Sequence, residues 1–106
     1  MSTKRELLEK KKKLLKEMEG ITRMRQGKIS EQFYKKTGKD GSKKLLGPYY
    51  LLQRWKNGKN SSERIPQDRI DQVRCDIASY DLFKDLCKKF ISVTEQLTAI
   101  IDLEKK

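Results

Sequence analysis

Histidine is missing from this 106-residue chain, cysteine and proline occur twice each, and tryptophan once. Without histidine, the commonest general base and metal ligand of proteins is unavailable. Cys75 and Cys87 stand twelve positions apart in a stretch with helical spacing. One helix cannot bring them together, and no imidazole completes a zinc site around them, so they read as structural thiols of a reducing compartment. There is no Walker-type glycine loop and no cysteine with an activating partner. These gaps predict a non-enzyme with no catalytic residue, no metal and no cofactor. No apolar run approaches the ~20 residues that span a bilayer, and no signal-peptide hydrophobic region is present, so a cytoplasmic location is expected. Apolar residues are scarce too, at 35% against 39% charged. That leaves too little for a broad core and favours elongated helices sharing a narrow seam.

Positive charge is what the chain has in excess, and it is unevenly placed. The formal net charge is +11, divided as +3 over residues 1–22, +9 over 23–64 and −1 over 65–106. The central stretch also holds the only tryptophan and three of the four tyrosines. A basic, aromatic-bearing insert between two segments of helical periodicity is a surface suited to a polyanion.

The periodicity predicts an α+β fold in one domain over 1–106. A helix over 1–22 is followed by a basic three-stranded antiparallel insert over 23–65. A long helix over 66–106 then pairs with the first in coiled-coil fashion. Thr3 with Glu6 fits a capping box, and Gly20 suits a helix end. Leu7, Leu8, Leu14, Leu15 and Met18 form one apolar stripe. The run Lys10 to Lys13 reads as the solvated face, with a nucleic-acid contact as the alternative. Ile29, Phe33 and Tyr34 suggest a short strand, Thr37 to Lys44 a loop, and Tyr49 to Trp55 a second strand. Asn57-Gly58 marks a tight hairpin turn, and Ser61 to Ile65 a third strand that Pro66 ends. Gly38 and Gly41 beside Lys39 read as a turn, with a phosphate cradle as the alternative.

In the last segment Ile70, Val73, Ile77, Tyr80, Phe83, Leu86, Phe90, Val93, Leu97 and Ile100 form a heptad-like seam with a one-residue slip near Asp81. Unbroken from Gln67 to Leu103, that helix would run ~55 Å, and the first helix about half as far. Either the long helix bends near Ser79 to Asp81, or its overhang packs on a second copy. The second copy is the expectation, as a homodimer through 83–103, because Phe90, Val93, Leu97 and Ile100 would otherwise lie bare.

Several elements of the insert resemble a family of small proteins of uncharacterised function, often encoded beside transposases or in phage-like elements. Its pattern runs R-x-G, an aromatic strand, C-G-K-x-x-C-x-C, G-P-Y-Y, G-K and a hydrophobic-Pro pair before a helix. Arg25 and Gly27, Phe33 and Tyr34, Gly38 and Lys39, Gly47 to Tyr50, Gly58 and Lys59, and Ile65 with Pro66 follow it in order. Where the family has three cysteines this chain has Thr37, Ser42 and Lys44, so any metal or redox role of those cysteines is absent and the loop must be held by other means. The resemblance implies a mobile-element setting and a DNA-linked accessory role.

The leading expectation is therefore a module binding double-stranded DNA through a basic sheet, nucleoid-associated when bound. Its contact candidates are Arg23, Arg25, Lys28, Lys35, Lys36, Lys39, Lys43, Lys44, Arg54, Trp55, Lys56, Lys59 and Arg64. Arg54 and Trp55 are the best candidates for base contact, because neighbours on a strand face opposite ways and one must face outward. Of Tyr49, Tyr50 and Trp55, at least two are expected to pack on helices. The alternatives are a helical interaction subunit of a transposase, recombinase or other effector, and an RNA-binding module whose aromatics stack on bases.

Overall fold

The computed structural model describes residues 3–105. Its elements run α1 (Lys4–Glu19), β1 (Lys28–Thr37), β2 (Lys43–Lys56), β3 (Lys59–Ile65), a 3-10 turn (Gln67–Arg69) and α2 (Ile70–Glu104). The α+β architecture expected from the periodicity is the one observed, with a long C-terminal helix packing on the first. Two compact units divide the chain: Met1–Met24 with Ala78–Lys106, and Arg25–Ile77. Among the described residues no helix is long and apolar enough to cross a membrane.

In the helical unit, α1 starts where the Thr3 hydroxyl accepts the Glu6 N–H at 3.2 Å. It ends at Gly20, whose N–H donates to the Lys16 carbonyl, with φ −70° and no left-handed turn. Leu7 packs with Val93 and Leu97 in a buried cluster joined by Leu14 and Ile100. Lys4 meets Glu104 at 3.0 Å, so α1 runs antiparallel to the end of α2. Burying a leucine or valine of this kind contributes about 1.5–3 kcal/mol, far more than the exposed ion pair.

This pairing removes the premise for expecting a second copy, that the end of the seam would lie bare. α2 is a single 35-residue helix, unbroken through Ser79 to Asp81. Val93, Leu97 and Ile100 are not bare either: α1 of the same chain covers them. The sequence predicts an overhang at the C-terminal end of α2, but the sheet occupies the beginning of the seam and α1 its end.

The sheet unit is antiparallel, in the order β1-β2-β3. Leu52 at its centre is completely buried, packed with Ile65, Ile70 and Val73 and flanked by Ile29, Tyr50 and Ile77. The first two turns of α2 therefore lie against one face of the sheet. Asp76, 3% exposed, anchors the chain entering the sheet. Its carbonyl accepts the Arg25 N–H at 3.0 Å, and its carboxylate meets Arg25 Nε at 3.5 Å and Gln72 Nε2 at 2.9 Å. A carboxylate this deep requires such partners.

All three strands are longer than the sequence suggests, and β1 runs for ten residues. β2 begins at Lys43, six residues before Tyr49, and runs through Gly47-Pro48, whose peptide is cis. A glycine and proline inside a run argue against a strand, but a bulge accommodates them: the β1–β2 register shifts between Gln32 and Tyr34. Gly47 has φ +136°, and a Cβ there would lie 2.8 Å from the Gln32 carbonyl oxygen. β3 begins at Lys59, directly after a turn in which Asn57 and Gly58 have φ 54° and 74°, the conformation that suits a two-residue hairpin.

Gly47→Ala is expected to lower stability by roughly 1–3 kcal/mol, since both the positive φ and the backbone oxygen oppose a side chain. Urea unfolding should show an earlier midpoint with an unchanged slope. An unaltered midpoint would mean the bulge tolerates a Cβ.

Candidate nucleic-acid interface

Side chains alternate across a strand, so the register sorts every residue of the sheet onto one of two faces. Ile29, Leu52 and Glu63 stand opposite one another on the face that α2 covers, as do Glu31, Tyr50 and Ile65. Arg74 on α2 reaches this face, with its guanidinium 5.5 Å from the Tyr50 ring and 3.4 Å from the Glu31 carboxylate. The opposite face, not covered by these turns of α2, carries Lys28, Ser30 and Gln32 of β1, Tyr49, Leu51, Gln53 and Trp55 of β2, and Asn60, Ser62 and Arg64 of β3. Beyond the bulge Tyr34 returns to this outer face, its ring 5.3 Å from Tyr49 and its hydroxyl 3.1 Å from Gln32 Oε1.

The three strands are not coextensive. β3 pairs with β2 only from Tyr50 to Lys56, whereas β1 and β2 stay paired out to Thr37 and Lys43. Residues 33–46 are thus a two-stranded ribbon extending past the third strand. It bears Lys35, Lys36, Lys39, Lys43 and Lys44 against a single acid, Asp40, and every one of these lysines is exposed. Lys36 and Lys44 share one face while Lys35 and Lys43 share the other, so the ribbon is cationic on both sides. Lys36, Lys39 and Lys44 line a concavity of about 560 Å³ at its tip with Gly38 and Ser42.

The tip is ordered without cysteine. Gly38 N–H donates to the Ser42 carbonyl at 2.7 Å, and Gly41 N–H to the Gly38 carbonyl at 3.0 Å. The Ser42 hydroxyl donates to Asp40 at 2.6 Å and its N–H at 3.1 Å, holding the Asp40 carboxyl below its ordinary range. Because the folded value is the lowered one, this stabilisation is complete above the ordinary aspartate range and fades as pH falls through the lowered value. Asp40 is thereby spent on its own turn.

The thirteen candidate residues do not form one patch. Lys28 and the five ribbon lysines are exposed, and Trp55 is 66% exposed on the outer face. Arg64 stacks over Tyr49 on that face at 4.4 Å. Lys56 and Lys59 flank the Asn57-Gly58 turn, at the other end of β2 from the ribbon tip. Arg54 shares the helix-covered face with Leu52, and its buried Nε has no hydrogen-bond partner. Of Arg54 and Trp55, Trp55 is the one that faces outward. Arg25 is turned inward to Asp76, and Arg23 is exposed ahead of the sheet unit. Tyr50 packs against the helix side, while Tyr49 is half-buried on the outer face. Sequence reasoning gave no role to Tyr34 and underrated Tyr49. The even spacing from Trp55 would have placed Tyr49 on the outer face; the bulge hid Tyr34.

The family model that matches, over residues 4–74, is described as a domain of unknown function, DUF6788. No curated protein and no solved structure matches the chain.

Lys36 stands directly opposite Lys44, and Lys56 opposite Lys59. Like charges in these positions oppose strand pairing. Lys36→Glu converts one repulsive pair into an attractive one and is expected to stabilise the protein by about 0.2–1 kcal/mol. A higher thermal midpoint at low salt is the readout; a lower one would show Lys36 supporting the fold.

Proposed function

The chain belongs to the DUF6788 family, a domain of unknown function, and we propose that it is a non-enzymatic nucleic-acid-binding protein that engages double-stranded DNA with the lysine ribbon of β1 and β2. An accessory role in a mobile element, in the cytoplasm, is part of this reading. The observation that carries it is the ribbon itself: two strands, free of the third, with lysines on both faces and a self-satisfied Asp40 as its one acid. B-DNA's major groove is ~12 Å wide and admits a two-stranded ribbon, with phosphates along both walls. Strands lie ~4.8 Å apart, so the paired backbones fit the groove while Lys36 and Lys44 reach one wall and Lys35 and Lys43 the other. Lys39 at the turn adds a fifth cation. Five like charges so close together disfavour the isolated ribbon, a cost that phosphates remove.

Neutralising about five phosphates makes affinity fall roughly 500-fold between ~50 and ~200 mM salt. Fluorescence anisotropy with labelled duplex DNA should show this slope, and near-constant affinity would refute the proposal. The double variant Lys36→Glu and Lys44→Glu is expected to bind at least roughly tenfold more weakly. Its far-ultraviolet circular dichroism should be unchanged, because both positions are exposed.

Leu8 and Leu15, seven apart on α1 and exposed by 43% and 47%, favour a second role in which the helical unit docks on a protein. A second copy is the simplest such partner. Light scattering on the full chain should then give twice the monomer mass, returning to one copy in Leu8→Glu with Leu15→Glu. Monomer mass at high concentration would remove the self-association reading.

A further inference from the structure

The outer face of the sheet includes Lys36 and Lys44 of the ribbon but is otherwise made of residues that a groove would not engage, and its composition is distinctive. None of its residues is acidic: Glu31 and Glu63, the only acids within the strands, both belong to the helix-covered face. Its cations are Lys28, Arg64, Lys36 and Lys44, all exposed. Among them lie Tyr34, Tyr49 and Trp55. Tyr34 and Tyr49 are in ring contact at 5.3 Å, and the Arg64 guanidinium caps Tyr49 at 4.4 Å, which makes a continuous tilted stack across three strands. Trp55, six residues along β2 from Tyr49, is ~20 Å further on by strand rise. Folding does not require an indole at 66% exposure or a phenol at 54%, since neither joins the buried clusters.

We infer that this face is a stacking track for single-stranded nucleic acid, with unpaired bases laid on Tyr34 and Trp55 and the phosphodiester chain neutralised by Lys28 and Arg64. A paired base exposes only its edge to a sheet, so broad aromatic faces serve unstacked bases, and any base can use them. Cations without acids on the same face match the phosphate charge along such a strand. A protein partner held by these aromatics would have no use for four cations unrelieved by an acid. The inference rests on the nucleic-acid reading above, but the aromatics it tests, Tyr34 and Trp55, are not among the groove lysines, so the two can fail separately.

Trp55 is the only tryptophan and is therefore its own reporter. Titrating the full chain with a short oligothymidylate should quench its emission as bases stack on it. Trp55→Ala and Tyr34→Ala should each weaken anisotropy-measured oligothymidylate binding roughly tenfold, with duplex affinity changed far less. Both side chains are more than half exposed, so these variants should keep the wild-type circular dichroism. Oligothymidylate binding with unaltered Trp55 emission, or with wild-type affinity in both variants, overturns the track. So does duplex binding without measurable single-strand binding, which leaves the ribbon reading standing. Failure of both probes to bind refutes both.

Discussion

One contact governs the rest of the sheet unit: Leu52 of β2 pressed against Val73 and Ile70 of α2. A strand can give only alternate residues to a core. Once Leu52 points at the helix, Tyr50 and Arg54 must share its side, and Tyr49, Leu51, Gln53 and Trp55 must take the other. Register then propagates the choice to both neighbours, so one leucine–valine contact decides which face of three strands stays open. A slip of one residue in β2 would reverse every assignment.

The seam of α2 explains how so lean a chain manages two clusters. Ile70, Val73 and Ile77 serve the sheet, and Val93, Leu97 and Ile100 serve α1. Neither the three strands nor the 16-residue α1 has the apolar content to stand alone. A single helix long enough to support both makes economical use of a chain that is only 35% apolar. The slip in the seam near Asp81 lies close to the point where its partner changes.

Element types and most boundaries were readable because their signals are local. Thr3 with Glu6, Asn57 with Gly58, and the 3-4 spacing of α2 each act within a few residues. What escaped depends on contacts distant in sequence. Pro48 reads as a strand breaker until the bulge that contains it, Gly47 and Pro48 against Phe33, is known. Arg25 reads as a surface cation until Asp76, 51 residues later, is seen beneath it. The expected bare end of α2 followed from the same blindness, since nothing in the heptad pattern says which stretch the sheet will claim. The cationic segment was legible from charge alone, but its division into a ribbon, an open face and inward-turned arginines required the register.

The ribbon's lysines have a consequence for the molecule's own kind. β1 and β3 are the two margins of the sheet, and their unpaired backbone groups are templates on which an identical chain could add a strand. Lys28, Lys35 and Lys36 on one margin, with Lys59 and Arg64 on the other, make such an approach repulsive. These cations thus oppose strand addition between free copies. Neutralising those charges would lift the protection, and sheet-to-sheet growth would then become a matter of local density.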